Sequence, residues 1–331
     1  MGEVQTCGEA GELDPRWLDV LRESLGHQPY MLVARDHGMN GDIRGYLPVT
    51  LVRSRLFGRF LVSLPYLNRA GLVADDEQIA GSLVREAVNL GDRLGVQYVE
   101  LRHGEPISHD ALPRRRDEKV RMVLDLPDSD EALWEVLTAK VRNQVRKGEK
   151  QGLSIRWGGV SMVGDFYRVF CVNMRDLGAP AYTRRLFDTI LTRFDDRAEL
   201  AVVDYGGRPV AAALLVHAET CTQVPSAGSL RRYHGSCANM WMYHQLLQRA
   251  IQRRARQFDF ARSSVGSGTY RFKKQWGAEP HPTVWQYHVR FGDVESMRPE
   301  SQRFRKHSAR WQKMPVWLTR LIGPAIVRGI P

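Results

Sequence analysis

The sequence predicts an α/β (α+β) protein built from two copies of one strand–strand–strand–helix–strand unit. Three observations carry the prediction. Runs rich in Val, Leu, Ile and Tyr are punctuated by Gly and Asn, a stretch among them repeats its apolar residues every three to four positions, and pieces of the first half return in the second. Gly45, Pro48 and Val49 return as Gly206, Pro209 and Val210, an offset of 161 by subtraction. Leu64-Pro65 returns as Val224-Pro225, and Arg93, Gln97, Tyr98 and Arg102 as Arg253, Gln257, Phe258 and Arg262, both at 160 by subtraction. Separate matches at nearly one spacing mark a duplicated unit. With 331 residues, 43% of them hydrophobic, the chain is long enough to give each copy a core.

In order, residues 30–35 and 43–53 read as strands joined by a turn at His37-Gly38-Met39-Asn40-Gly41, and Phe60 to Leu64 as a third. Leu83, Ala87, Leu90 and Leu94 place an amphipathic helix over Ile79 to Leu94, and Gln97 to Leu101 follows as a strand. Between the copies, Asp128 or Ser129 caps one helix carrying Leu133, Leu137, Val141 and Val145 at four-residue spacing. Its other face carries Arg142, Arg146 and Lys150, with Lys140 and Lys147 beside them, which makes Arg142 and Arg146 candidate anion ligands. Helices follow over Gly164 to Asp176 and from a Thr183 cap to Phe194. Ala198 to Tyr205 and Val210 to His217 form a hairpin through Gly206-Gly207. Cys221 to Pro225 is a strand broken by Ser226-Ala227-Gly228-Ser229. A helix over Asn239 to Gln257 points its first N–H groups at a ligand, so Asn239 and the preceding Arg231 are candidate binding residues.

The formal charge of +11 draws the chain to an anionic partner, whether nucleic acid, an acidic or phosphorylated sugar, or a membrane surface. Cys7, Cys171, Cys221 and Cys237 form no C-x-x-C pair and no metal spacing with His, which points to a reducing compartment and to no metal site. H-E-x-x-H, G-x-S-x-G and P-loop patterns are absent, which argues against a zinc hydrolase, a serine esterase and a nucleoside triphosphatase. Met1 to Trp17 lacks the basic and apolar segments of a signal peptide, so a cytoplasmic location is expected. Met1-Gly2 with Thr6 fits the loose myristoylation pattern. From Gln302 the tail mixes Arg303, Arg305, Lys306, Arg310, Lys313 and Arg320 with Trp311, Trp317, Leu318, Leu321 and Ile322. Such a segment suits the inner face of an anionic membrane or packing against the protein, and Pro315 and Pro324 forbid one long helix.

The richest stretch runs from Gln257 to Gly277. Phe258 and Phe260 flank Asp259 in a strand, Ser263 to Gly268 form a tight loop, and Tyr270 to Trp276 form a cationic and aromatic surface. Ser267 and Gly268 expose backbone N–H groups where Arg262, Arg271, Lys273 and Lys274 bring positive charge, an arrangement suited to a polarised acyl group or a phosphate. A hairpin with a solvated basic edge fits the same composition.

Two segments resemble the FemAB family: Lys140 to Gly152, read as KVRNQVRKGEKQG, and Phe258 to Gly277, read as FDFARSSVGSGTYRFKKQWG. The second, with the closing Ile322 to Pro331, resembles the branch associated with exosortase and PEP-CTERM systems and found near exopolysaccharide genes. The similarity spans roughly residues 20 to 331. It implies two tandem lobes of the acetyltransferase-like (GNAT) fold, with mixed sheets flanked by helices: residues 1–125, residues 126–295 carrying the motif, and a basic, aromatic tail over 296–331. It also implies acyl or aminoacyl transfer to an amine of a cell-envelope precursor, related to exopolysaccharide or peptidoglycan. The expected co-substrate is acyl-CoA or aminoacyl-tRNA, with no firmly bound cofactor and no DNA partner. On the resemblance, Phe272-Lys273 matches the family's active-site pair, with Lys273 holding the developing oxyanion. Asp259 would orient or deprotonate the amine and Tyr270 would protonate the leaving group, although Asp259 equally suits an ion pair with Arg262 or Arg271. Glycine often stands in the family where this chain has Ala261. The spaced glycines of an acetyltransferase pyrophosphate site are absent between Ser229 and Ala238. A second reading is a non-catalytic module that holds an anionic polysaccharide or lipid-linked precursor.

Overall fold

The computed structural model describes residues 14–36, 41–67, 71–292 and 302–330. The segment before residue 14, with Cys7 and the myristoylation-like start, and the turn at 37–40 lie outside the described residues. A helix, α1 (Arg16–Leu25), precedes the hairpin β1 (Gln28–Arg35) and β2 (Ile43–Ser54), then β3 (Gly58–Val62), the short β4 (Val73–Ala74), α2 (Glu77–Leu94) and β5 (Tyr98–His103). Asp76 caps α2 by accepting from the Ile79 N–H at 2.8 Å, and Gly95 ends it in the left-handed region. Strands β6 (Arg114–Arg116) and β7 (Lys119–Asp125) lead to α3 (Asp130–Val136), α4 (Ala139–Glu149), β8 (Ser154–Gly158), α5 (Val163–Leu177) and α6 (Arg184–Phe194).

The unit then repeats: β9 (Ala198–Tyr205), β10 (Arg208–His217), β11 (Cys221–Ser229), α7 (Ala238–Gln252) and β12 (Gln257–Ser264) follow the order of β1, β2, β3, α2 and β5. In each copy the strands on either side of the helix pair in parallel, β3 with β5 and β11 with β12, which is the crossover a helix between them requires. The chain closes with α8 (Gly268–Lys274), β13 (Glu279–Pro282), β14 (Val284–Val289), α9 (Gln302–Gln312) and α10 (Val316–Val327).

The two sheets exchange strands. One runs β1-β2-β3-β5-β14-β6 and the other β13-β7-β12-β11-β10-β9-β8. Thus β7, which precedes the second copy, adds to the second sheet beside β12, and β14, which follows it, crosses back to the first sheet beside β5. Helix α1 also packs on the second lobe, where Trp17 and Val20 join Phe166, Phe170 and Phe187 of α5 and α6 on one face of the sheet. The other face is covered by α4 and α7, through Val141, Val145, Leu246 and Leu247. In the first lobe α2 covers one face, and Phe60, Tyr98 and Tyr287 cluster on the other.

Three expectations are corrected. The helix expected after Ser129 is two helices. Ser129 caps α3, Leu137 turns extended, and Thr138 caps α4 by accepting from the Val141 N–H; Leu133, Leu137, Val141 and Val145 are nevertheless all buried. Strand β11 does not stop at Pro225 but runs to Ser229, because Ser226 to Ser229 continue the ladder with β10 past a register shift. Residues 270 to 274 belong to a helix, and Phe272 and Trp276 pack into the core beneath α7. As expected, the tail is not one long helix: Pro315 separates α9 from α10, and Pro324 is accommodated inside α10.

Candidate active site between the lobes

A cavity of about 360 Å³ lies between the lobes. The period of two along a strand puts Tyr98, Glu100 and Arg102 of β5 on one face of the first sheet, and that face forms one wall. The register sets Trp285 of β14 opposite Arg102 on one side and Arg116 of β6 on the other, so a row across three strands reads Arg-Trp-Arg. Facing it are Pro180 and Tyr182, just past α5, and Arg262 from β12; Ser308, Val327 and Ile330 of the tail close the end.

Arg262 reaches the cavity because of a bulge. Phe258 and Phe260 point toward α7, where Phe260 stacks on Tyr243 with ring centres 5.5 Å apart, and simple alternation would send Arg262 the same way. The register with β7 moves from Asp259 opposite Val123 to Arg262 opposite Arg121, so β12 holds one extra residue. That residue, Ala261, has φ +59°, a left-handed conformation that costs a side-chain-bearing residue about 1–2 kcal/mol. The extra residue turns Arg262 to the opposite face.

Two side chains hold the bulge. Asp259 Oδ1 accepts from the Ala261 N–H at 2.7 Å, and Lys273 Nζ donates to the carbonyls of Ala261 and Arg262 at 2.8 and 2.9 Å. Both groups are buried, and Asp259 Oδ2 lies 3.3 Å from Nε of the equally buried Arg121. Burial pushes the Asp259 carboxyl up, against the pull of Arg121 and its other partners. Burial brings the Lys273 ammonium down to about 8, opposed by Asp259 and helped by Arg262.

At the cavity, the guanidinium carbons of Arg102 and Arg262 lie 4.1 and 4.5 Å from the ring centre of Trp285. Arg102 is neutralised: Nε donates to Glu100 Oε1 at 2.7 Å and Nη1 to the Leu67 carbonyl at 2.8 Å. Arg262 has no carboxylate within ion-pair distance among the described residues, and its Nη1 is buried without a hydrogen-bond partner. Burial and the neighbouring Arg102 lower it to about 10. A cation held this way gains most from an incoming anion.

Of the candidate catalytic and binding residues named from the sequence, only Arg262 lines this cavity, beside Tyr98 and Arg102, which the sequence marked only as repeat positions. Asp259 and Lys273 stand behind it, and the partner of Asp259 is Arg121 rather than Arg262 or Arg271. Tyr270 and Phe272 pack on the α7 side, Phe272 edge-on to Tyr243 at 4.9 Å. Ser267 caps α8 by accepting from the Tyr270 N–H, Gly268 opens that helix, and Arg271 donates to the Gly266 carbonyl. Two cations of the line on α4 have structural partners: Arg142 Nη1 donates to the Leu137 carbonyl at 2.7 Å, closing the end of α3, and Arg146 lies over Trp134. Arg231 donates to the Asp176 carbonyl, and Asn239 is half-buried in the first turn of α7; neither lines the cavity. Sequence reasoning missed Glu100, Arg116 and Trp285. A signal existed for Glu100 alone: with Arg102 it interrupts the apolar residues of its strand at period two. Among the described residues, no group of three His, Cys, Asp or Glu is placed to hold a metal ion.

Comparison with known proteins agrees with this architecture. Residues 137–274 match the acetyltransferase (GNAT) domain family. No curated protein matches the chain. The crystal structure of FemX is similar with a TM-score of 0.61 at 12% identity, over 83% of this chain and 90% of that one. The structure of L-PGS from Bacillus licheniformis gives 0.56 at 14% identity, over 95% and 99%. A conserved protein of unknown function from Bacteroides thetaiotaomicron gives 0.55 at 9%, over 85% and 93%. At such identities the likeness is one of fold. The chain is a two-lobed α/β protein of GNAT-like fold, each lobe a mixed sheet flanked by helices.

Proposed function

We propose that the protein transfers an acyl or aminoacyl group to an amine on an anionic cell-envelope precursor, and that the acceptor's anionic group binds in the cavity between the lobes. The observation that carries this is Arg262: a half-buried guanidinium whose Nη1 is buried without a hydrogen-bond partner and which has no carboxylate partner among the described residues, turned into a cavity of a GNAT-like fold by a bulge that two buried charged residues hold. Arg116, which lines the same cavity, adds to the positive field there.

The donor's place is the gap where β11 and β12 separate. They pair only from Cys221 to Gln223 and from Gln257 to Asp259, although β11 runs to Ser229 and β12 to Ser264. Backbone groups facing that gap suit the amide-bearing arm of acyl-CoA. In the reaction the amine nitrogen attacks the donor carbonyl carbon, a C–N bond forms, and the C–S bond of a thioester or the C–O bond of an aminoacyl ester breaks. The amine proton leaves with the thiol or hydroxyl. On this reading Lys273 and Asp259 are positioning residues, because they act through the bulge that aims Arg262.

The test is mass spectrometry of products after incubating the protein with acyl-CoAs or aminoacyl-tRNA and amine-bearing nucleotide-linked or lipid-linked envelope precursors. A mass increase of one acyl group, lost in Arg262→Met, is the expected result. Salt-sensitive precursor binding with no product from any donor would favour the non-catalytic holding module.

A further inference from the structure

The tail does two things at once. One side of α10 is buried, through Thr319, Gly323 and Val327, and a Cβ at Gly323 would come within 3.1 Å of the Ala181 backbone. The outer side leaves Trp317 and Leu321 exposed at 68% and 71%, one helical turn apart. Beside the end of α10, the β2–β3 turn lifts Leu56 into solvent at 74% exposure; the two elements touch where Gly329 meets Ser54 and Phe57. Three large apolar groups on adjoining elements, each mostly in water, need an occupant.

Charge says which. Residues 301–331 hold seven Lys and Arg and no Asp or Glu, and residues 51–60 hold three Arg and no acid. Arg310, Lys313, Arg320 and Arg328 are exposed around α10, as are Arg53, Arg55 and Arg59 around the turn. Apolar side chains ringed by cations that have no carboxylate partner among the described residues match an anionic bilayer, in which Trp and Leu enter the headgroup boundary and the cations meet lipid phosphates. Among the described residues no helix is long and apolar enough to cross a membrane, so the contact is peripheral.

We propose that the outer face of α10 and the β2–β3 turn form a docking surface for an anionic membrane. The inner face of α10 bears Val327, which lines the interlobe cavity, so docking brings that cavity to the lipid surface. The docking surface does not depend on the cavity being catalytic.

The test is co-sedimentation of the full chain with vesicles of phosphatidylglycerol and phosphatidylcholine, against pure phosphatidylcholine. Binding is expected to the mixed vesicles, to be at least about tenfold weaker to pure phosphatidylcholine, and to fall about fivefold in Arg320→Gln, the effect of one interfacial cation. The double variant Trp317→Ser, Leu321→Ser is expected to lose binding with an unchanged melting temperature. If it melts early, Lys313→Gln with Arg320→Gln carries the same test. Binding unchanged in these variants, no sedimentation with mixed vesicles, or a concentration-dependent dimer abolished by the double variant would each overturn the proposal, the last in favour of a contact between two copies.

Discussion

Arg102 and Arg262 occupy matching positions in the two lobes, 160 residues apart by subtraction, and meet over the ring of Trp285. They are not equivalent in charge: Glu100 neutralises Arg102, whereas Arg262 has no such partner among the described residues. The duplicated scaffold thus places one guanidinium paired with a carboxylate, and one with no carboxylate partner among the described residues, at the interface of its halves.

A guanidinium with a buried nitrogen and no carboxylate partner, as at Arg262, works against folding. Arg262→Met is therefore expected to be as stable as the wild type or up to about 2 kcal/mol more stable in urea unfolding, while losing salt-sensitive binding of an anionic precursor. A loss of stability with binding intact would show that Arg262 serves packing and not a ligand.

Lys273→Met removes two charge-assisted hydrogen bonds to the bulge and is expected to cost about 2–3 kcal/mol. A purely structural role ends there; a positioning role also weakens anion binding, as Arg262→Met does. The ammonium titrates near 8 in the folded protein against an ordinary 10.5. Between these values the unfolded chain holds the proton the folded one has released, so this group makes stability rise with pH from about 8 to 10.5. That rise should be missing from urea melts of the variant.

Ala261→Gly relieves the left-handed backbone at φ +59° while leaving Asp259 and Lys273 in place. A gain of about 1 kcal/mol is expected, with precursor binding unchanged. A loss would mean that the alanine methyl contributes more than the strain costs.

His27 is buried with Nε2 2.9 Å from the Tyr66 hydroxyl, which donates to the Arg328 carbonyl. Burial, with Arg328 adding to it, lowers the imidazole to about 4 from 6.5. Between those values only the unfolded chain takes up the proton, so stability falls as pH drops from 6.5 toward 4. His27→Gln should flatten that part of the pH profile; His244, also lowered to about 4 by burial, accounts for a share that remains.

The sequence carried the repeated unit because helical spacing such as Leu83, Ala87 and Leu90 is local. It could not show the break at Leu137, since Leu133 to Val145 keep four-residue spacing straight through it. The motif around Lys273 was legible, but its direction was not: a single inserted residue at Ala261 decides which face Arg262 takes, and alternation in the sequence carries no mark of that insertion. Trp285 and Arg116 stayed hidden because strand partners are chosen by tertiary packing, and β14 pairs with a strand that ends at His103.

The exchange of β7 and β14 has a consequence for dissection of the molecule. A fragment ending before β14 would leave Tyr98 and Arg102 along a naked strand edge, and one beginning after β7 would leave Asp259 without the guanidinium that balances it. Neither half is a self-sufficient piece, and two fragments should regain the native arrangement only when mixed, like hands that must clasp to close.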